Sequence, residues 1–211
     1  MPKPVRQPPS LSRDEIVRRA LALLAERGSM AQVSMRVLAG EFDVWPNALY
    51  QYFRDKDELM SFMLDEVLSG LAPPRGNLRW ETRMLRFSLE FRRRLMPYPD
   101  LAAFLLTGRG LTPRVRMTNA QTVEIFLGAG WSPEAAARAF AAVRTFVLGS
   151  LLLVGSTGDP VRRRREVVDP SALTERDGVV AALAELDQEE VFSFGLSRLL
   201  DGLAAEQDRG R

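Results

Sequence analysis

The chain has 211 residues, and its 46% hydrophobic and 27% charged residues allow one medium domain or two small ones with a buried core. It contains no cysteine and no histidine, which excludes disulfides, thiolate zinc sites and cysteine nucleophiles and removes the commonest general base. The net charge of +2 indicates no class of partner. Catalysis is disfavoured by this composition, although carboxylates and lysines alone can support it.

The N-terminal segment 1–10 has no secretory character, because it carries four prolines and two basic residues and no apolar core. The longest apolar run, at 146–154, is interrupted by Gly149 and Ser150 and is too short to span a bilayer. We therefore predict a disordered arm at 1–10, no membrane segment and a cytoplasmic protein.

Three short helices are predicted next. Ser12 and Glu15 form a capping box, and Gly28 fits the residue after the last turn of the first helix. A second helix is predicted at 34–42. A third begins at Pro46, since the missing proline N–H costs nothing in a first turn. Three short helices joined by tight turns indicate a helix-turn-helix unit.

A capping box at Asp55 and Glu58 starts a fourth helix, which Pro73 and Pro74 end. These signals predict a helix-turn-helix unit at 11–56, a connecting helix at 57–72 and a second domain at 75–211.

The second half of the chain also shows helical signals and no alternating strand pattern. Predicted helices lie at 79–95, 100–106, 113–128, 132–154, 173–185 and 187–205. A loop is predicted at 155–172, where the arginine run at 162–165 is most simply a solvated surface. The fold class is therefore all-α, with an N-terminal helix-turn-helix domain and a C-terminal helical domain.

The third helix is the candidate reading element, because the second helix of such a motif enters the major groove and presents its first residues to base edges. Here that helix offers an amide for adenine edges, a methyl group for thymine and phenol hydroxyls for phosphates. The residues concerned are Pro46, Asn47, Ala48, Tyr50, Gln51 and Tyr52.

At this point a resemblance becomes specific. The segment 33–59, and above all Ala48-Leu-Tyr-Gln-Tyr-Phe-Arg-Asp-Lys56 followed by Leu59, resembles the signature of the tetracycline-repressor (TetR) family. Tyr98, the Ser-Pro-Glu start at 132–134 and the segment 192–203 resemble the ligand domain of the tetracycline repressor's own branch. The resemblance covers the chain after residue 10 and implies an all-helical, DNA-binding transcriptional regulator.

The resemblance also implies roles for individual residues. Arg36 takes the place of the base-contacting arginine, and phosphate contacts fall on Ser34, Tyr50, Tyr52 and Lys56. Base-reading positions fall on Pro46, Asn47, Ala48 and Gln51. This sequence departs from the family at three DNA-facing positions, where Asp43 replaces the turn glycine, Trp45 a small polar residue and Met35 a phosphate-contacting threonine.

The resemblance places an effector pocket among the middle helices. Leu105 stands where a magnesium-holding histidine is expected and Phe87 where a polar asparagine is expected, so binding of a magnesium–drug chelate is disfavoured. The predicted lining is Trp80, Met84, Phe87, Phe91, Tyr98, Phe104, Leu105, Met117, Phe126, Phe140 and Phe146. Such a wall suits an apolar or aromatic effector. The alternative for each residue is that it only fills the core.

A homodimer is predicted through the helices at 132–154 and 187–205. The first is rich in alanine and glycine, and the second carries a stripe made of Val191, Phe192, Leu196, Leu199, Leu200 and Leu203. We predict a repressor, not an enzyme, which an apolar or aromatic effector releases from operator DNA, with no cofactor and no metal. The alternative is a helical small-molecule-binding protein or enzyme that does not bind DNA.

Overall fold

The computed structural model describes residues 11–157, 182 and 185–209, and every helix or strand element in these residues is an α-helix. This confirms the predicted all-α fold class. In chain order the helices of the described part are α1 (Arg13–Arg27), α2 (Met35–Gly40), α3 (Pro46–Leu49), α4 (Lys56–Val67), α5 (Trp80–Leu95), α6 (Pro99–Leu106), α7 (Pro113–Gly128), α8 (Pro133–Thr157) and α9 (Gln188–Arg209). The predicted arm at 1–10, the arginine run at 162–165 and, apart from positions 182 and 185, the predicted helix at 173–185 lie outside the described residues.

Helix α1 has the two ends that the sequence predicts. The Ser12 hydroxyl accepts a hydrogen bond from the Glu15 N–H at 3.2 Å, and the Glu15 carboxylate accepts one from the Ser12 N–H at 2.9 Å. Gly28 takes a φ of 74°, and its N–H donates to the Leu24 carbonyl at 2.8 Å. An N-cap of this kind stabilises a helix by about 1 kcal/mol.

Helices α2 and α3 are joined by a tight turn. Ser34 caps α2 by accepting a hydrogen bond from the Val37 N–H at 3.1 Å. Asp43 takes a φ of 52° in the turn, a left-handed conformation that a short polar side chain tolerates. Helix α3 begins at Pro46 as predicted and ends after a single turn. The second helix, α2, is shorter than the predicted 34–42 because the chain already turns at Glu41.

The first four helices share one apolar core, which fixes the orientation of the helix-turn-helix unit. Its fully buried members include Ile16, Ala20, Leu23, Leu24, Leu38, Leu49, Phe53, Leu59, Met63 and Leu64. Because α4 contributes three of these residues, the connecting helix is part of the DNA-binding head as well as its link to the second domain.

Both ends of α4 are held by side-chain hydrogen bonds. The Asp55 carboxylate accepts from the Glu58 N–H at 2.8 Å. The other half of the predicted capping box differs, because the Glu58 carboxylate accepts from the Arg54 N–H at 2.6 Å and not from Asp55. At the far end, Arg94 of α5 donates to the Ser69 carbonyl at 2.5 Å and so binds the carbonyl end of α4.

The C-terminal domain is built around α8, which packs against α6, α7 and α9. Gly195 permits the close approach of α9, because a Cβ at this position would lie 2.7 Å from the Phe146 ring. Arg92 of α5 is 1% exposed, and its guanidinium pairs with Glu189 and lies 4.5 Å from the Phe192 ring centroid. These contacts hold α5, α8 and α9 together.

The predicted apolar stripe of α9 faces the inside of the chain except at one residue. Phe192, Leu196 and Leu200, at i, i+4 and i+8, are buried inside the chain. Leu199 and Leu203 are half-buried and pack against the same cluster. Val191 is 42% exposed, because it projects from a different side of the helix than its neighbour Phe192.

Part of α8, Pro133–Leu153, is long and apolar enough to cross a membrane by length and composition, with a mean hydropathy of 1.5. The sequence analysis overlooked this because it counted only the aliphatic run and not the preceding alanines. Since α8 packs against four other helices, α5, α6, α7 and α9, we assign it to the core of the C-terminal domain.

Candidate DNA interface and effector cavity

The helix-turn-helix unit presents several of the predicted DNA-contacting residues to solvent. Arg36, Asn47, Tyr50 and Gln51 are exposed, and Trp45 is 84% exposed. Pro46 and Ala48 are half-buried, while Ser34 is exposed and uses its hydroxyl to cap α2. Trp45 and Asn47 lie at the start of α3, the part of the motif that reaches base edges in helix-turn-helix proteins, while Arg36 lies on α2 and Tyr50 and Gln51 follow the end of α3.

Three other predicted contact residues are engaged inside the head. Met35 is 9% exposed, so its side chain packs in the core and is not on the DNA-facing surface. The Tyr52 hydroxyl donates to the Leu11 carbonyl at 2.6 Å. The Lys56 ammonium donates to the Met30 carbonyl. A phosphate contact by Tyr52 or Lys56 therefore competes with, or adds to, an internal hydrogen bond.

The turn between α1 and α2 is clamped from two helices. Asp100 of α6 accepts from the Met30 N–H at 2.5 Å and from the Ser29 hydroxyl at 3.2 Å. Lys56 of α4 binds the carbonyl of the same Met30 residue. The clamp fastens the DNA-binding head to α6, a helix of the C-terminal domain.

A cavity lies among α5, α6, α7 and α8, with about 630 Å³ of empty space including its open mouth. It is lined by Leu68, Met84, Phe87, Ser88, Phe91, Leu105, Leu111, Val115, Thr118, Asn119, Thr122, Phe140, Val143, Arg144, Val147 and Leu148. The predicted lining residues among these are Met84, Phe87, Phe91, Leu105 and Phe140.

The other six predicted lining residues are not on this cavity wall. Trp80 and Phe126 pack with Trp131 in an aromatic cluster, with ring centroids 5.3 to 5.5 Å apart. Phe146 stacks on Phe192 at 5.5 Å, against α9. Tyr98 is half-buried before α6, Phe104 is buried beside Gly110, and Met117 is 54% exposed. Helical spacing placed them on the right helices but did not tell which face meets the cavity.

The cavity has a polar wall that the sequence analysis missed. Ser88, Thr118, Asn119, Thr122 and Arg144 all line it. The predicted lining contained none of these five residues, although eleven of the sixteen lining residues are apolar. The positions on α7 could have been found, because Val115, Thr118, Asn119 and Thr122 share one helical face at i, i+3, i+4 and i+7.

The cavity is connected to α4 through its lining and through polar contacts beside it. Leu68, directly after α4, lines the cavity together with Leu105 of α6 and Leu111 of the α6–α7 loop. Asp57 of α4 pairs with Arg109 of that loop. Thr112 donates to Asp65 of α4 at 2.5 Å. The cavity therefore borders the residue that follows α4 and the loop whose neighbouring residues hold α4 in place.

An exposed helix-turn-helix face, attached through α4 to a helical domain with a lined cavity, defines the class of helix-turn-helix regulators with a separate helical core. Comparison with known families agrees. Residues 16–61 match "Bacterial regulatory proteins, tetR family", and residues 72–207 match "Tetracyclin repressor-like, C-terminal domain". The chain belongs to the TetR family of transcriptional regulators, which confirms the resemblance seen in the sequence.

Two curated relatives match over nearly the whole chain. An HTH-type transcriptional regulator from Saccharopolyspora erythraea is 29% identical over 214 residues, which cover 96% of this chain and 89% of the relative. The tetracycline repressor protein class C from Escherichia coli is 28% identical over 200 residues, which cover 92% of this chain and 90% of the repressor.

Solved structures of the family share the fold. A possible TetR family regulator from Streptomyces coelicolor A3(2) matches with a TM-score of 0.81 at 29% identity, covering 92% of this chain and 99% of that one. The S. coelicolor protein ActR in complex with (S)-DNPA matches with a TM-score of 0.76 at 26% identity, covering 94% and 99%. BioQ with its double-stranded DNA operator matches with a TM-score of 0.67 at 26% identity, covering 93% and 99%.

Proposed function

We propose that this protein is a repressor that binds operator DNA as a homodimer and leaves it when a small molecule enters the cavity. The observation that carries the proposal is the position of Leu68, which lines the cavity at the end of the helix that also packs against α1 of the head. The proposed location is the cytoplasm, because a DNA-binding regulator needs access to its operator.

The relatives support each half of this proposal. BioQ forms a complex with its operator DNA, and ActR has been solved with a small molecule. In this chain the corresponding halves would be the head at 11–56, joined by 57–72 to the ligand-binding and dimerisation region at 75–211. The cavity lining in the described part includes no carboxylate, histidine or cysteine, which supports a binding role and not catalysis.

The coupling follows from the contacts of α4. A two-fold dimer must hold its two α3 helices one DNA turn apart, roughly 34–36 Å. An effector that fits the cavity best when Leu68, Leu105 and Leu111 have moved would favour a different position of α4. The effector can release the operator only to the extent that it binds this second state more tightly than the first.

The test begins with duplexes that the purified protein selects from a random-sequence DNA pool. Arg36→Ala should weaken binding to the selected sequence by about 1–3 kcal/mol, because a bidentate arginine–guanine pair contributes a discrimination of this size. The loss should be much smaller for unselected DNA. Binding is measured by fluorescence anisotropy at one fixed salt concentration.

Arg86→Ala is the matched control, since Arg86 is an exposed arginine of α5 outside the head. It should leave both affinities unchanged. Failure to enrich any sequence would contradict the DNA-binding function and favour a helical small-molecule-binding protein. Equal loss of selected and unselected binding in Arg36→Ala would contradict the base-reading role of this residue alone.

A further inference from the structure

The polar wall of the cavity offers hydrogen-bonding groups that the described part of the protein does not use. Ser88 is 2% exposed and Thr118 is 3% exposed. Neither hydroxyl has a hydrogen-bond partner among the described residues, whereas the Thr122 hydroxyl donates to the Thr118 carbonyl at 2.7 Å. Both residues line the cavity, so a ligand there can supply the hydrogen bonds that these hydroxyls lack.

The same wall carries a positive charge without an acidic counterpart. Arg144 is the single charged side chain of the cavity lining in the described part. Arg144 is exposed to solvent as well as bordering the cavity. Within residues 11–157, 182 and 185–209 it forms no ion pair, and its Cζ lies 6.0 Å from the centroid of the Phe140 ring. Asn119, next to Thr118 on α7, also has no side-chain hydrogen bond in the described residues.

The cavity is also lined by aromatic side chains. Phe87 and Phe91 of α5 lie with ring centroids 6.2 Å apart, and Phe140 adjoins Arg144 on α8. Aromatic side chains at this spacing favour planar apolar rings by offset or edge contacts. The cavity therefore combines surfaces suited to rings with hydrogen-bonding side chains and one cation.

We propose that the effector is an aromatic organic anion, whose rings contact Phe87, Phe91 and Phe140 and whose acidic group is bound by Arg144. This proposal rests on the proposed function, because it names the class of molecule that the regulator senses. A guanidinium binds a carboxylate or sulfonate with two parallel hydrogen bonds. The Ser88 and Thr118 hydroxyls and the Asn119 amide then bind oxygen substituents of the ring system. A neutral hydrocarbon would offer no hydrogen bond to Ser88, Thr118 or Asn119 and would gain nothing from the charge of Arg144, which is exposed and stays solvated.

The experiment compares two fluorescent probes that share one ring system. Anilinonaphthalene sulfonate carries a negative charge, and N-phenylnaphthylamine is its neutral counterpart. Each is titrated into the full-length wild-type protein, Arg144→Met, Arg144→Lys and Arg138→Met. Arg138 is the matched control, because it is an exposed arginine of the same helix that does not line the cavity. Circular dichroism establishes that every variant is folded.

The anionic probe should bind wild type more tightly than the neutral probe. Arg144→Met should weaken binding of the anionic probe on the order of tenfold, because a hydrogen bond to a charged group is lost. The affinity for the neutral probe should not change. Arg144→Lys should restore part of the affinity for the anionic probe, and Arg138→Met should affect neither affinity. The proposal is overturned if wild type does not bind the anionic probe. It is also overturned if Arg144→Met changes the affinities for both probes equally or changes neither.

These titrations contain no DNA, so their failure is distinct from failure of the proposed function. A protein that selects an operator but shows no dependence on Arg144 is a regulator whose effector is not bound as an anion. A protein that selects no operator but loses the anionic probe in Arg144→Met has the anion site and is not a DNA-binding regulator.

Discussion

At the start of α3 the Trp45 indole is 84% exposed and makes no capping hydrogen bond. The N-cap position of a helix normally carries a short polar side chain that accepts a backbone N–H. An exposed indole at this place leaves that N–H to solvent and puts apolar surface beside the residues that face DNA. Its position suits contact with thymine methyl groups better than capping.

Trp45→Ser should therefore have two measurable effects. The serine hydroxyl can cap α3, so the free energy of unfolding in urea should rise by about 1 kcal/mol at a fixed protein concentration. The DNA sequence selected from a random pool should change where it meets the start of α3. Trp45→Ala is the control and should change the selected sequence without the gain in stability. Equal stability of the serine and alanine variants would refute the capping argument.

The residues of the head also show what a sequence can and cannot predict. The exposure of Arg36, Asn47 and Gln51 follows from helical periodicity around a buried core, and the structure agrees. The internal hydrogen bonds of Tyr52 and Lys56 depend on where the carbonyls of Leu11 and Met30 lie after folding. No local pattern records those distances, so the sequence alone could assign these two side chains only by resemblance.

At the scale of helices, Asp100 is the contact that fastens α6 to the DNA-binding head. Its carboxylate accepts from the Met30 N–H at 2.5 Å and from the Ser29 hydroxyl at 3.2 Å. Hydrogen bonds to a charged group contribute about 1.5–3 kcal/mol. Because α6 also carries Leu105 on the cavity wall, this contact offers a second path from cavity to head, alongside α4.

Asp100→Ala should loosen the turn between α1 and α2 without unfolding either domain. Hydrogen exchange at the Met30 amide should accelerate by at least about tenfold, since opening no longer breaks a charge-assisted bond. Asp100→Asn keeps one acceptor oxygen and should show a smaller increase. Unchanged exchange in the alanine variant would mean that the turn is held by its other contacts, including Lys56.

The contact between α5 and the end of α4 depends on Arg94, which the Glu90 carboxylate positions. Hydrogen bonds from Arg93 and then Arg94 lower the pKa of Glu90 to about 2. The same Arg94 donates to the Ser69 carbonyl after α4. A carboxylate that positions this arginine therefore stabilises the helix end next to Leu68, at the rim of the cavity.

The stabilisation by Glu90 should depend on pH in the acidic range. The folded-state pKa of about 2 lies below the unfolded value of about 4.3, so the contribution is complete above the unfolded pKa and is lost as the pH falls through the folded pKa. Glu90 is 34% exposed, which keeps the contribution to about 1 kcal/mol or less.

Urea unfolding of wild type and Glu90→Gln should therefore differ by about this amount at neutral pH and converge as the pH falls below the unfolded pKa toward the folded pKa of about 2. Glu124→Gln, an exposed carboxylate of α7, is the control and should not differ from wild type. A difference that stays constant from neutral pH to pH 3 would show that packing, and not charge, explains the effect.

Helix ends were predictable because caps are local, as the positions of Ser12, Gly28 and Pro46 show. The cavity was not, because its wall is assembled from four helices and its polar members are scattered among apolar ones. Helical spacing on α7 identifies a face, but only the approach of α5 and α8 shows that this face borders empty space and not the core.

At the scale of the whole molecule, α8 and α9 carry apolar surface that the described residues do not cover. Phe194 is 68% exposed and Val191 42%. Only a third of the apolar span Pro133–Leu153 is buried within the chain. Since Phe192, Leu196 and Leu200 already pack inward, the other sides of these two helices are the surface through which the proposed homodimer would form.

A charged residue on this surface should separate the dimer and thereby abolish operator binding. Phe194→Arg places an unpaired cation where two apolar faces would meet, and a buried charge without a partner is strongly destabilising to such a contact. Light scattering should show a dimer for wild type and a monomer for the variant at micromolar concentration. Affinity for the selected operator should fall far more than for unselected DNA, because one head alone binds one half-site. Leu78→Arg, an exposed loop residue outside both helices, is the matched control and should remain dimeric. If wild type is a monomer, the proposed two-fold contact does not exist, and the spacing of two α3 helices needs another explanation. If Phe194→Arg is a dimer with full operator affinity, the two-fold contact lies elsewhere on the protein.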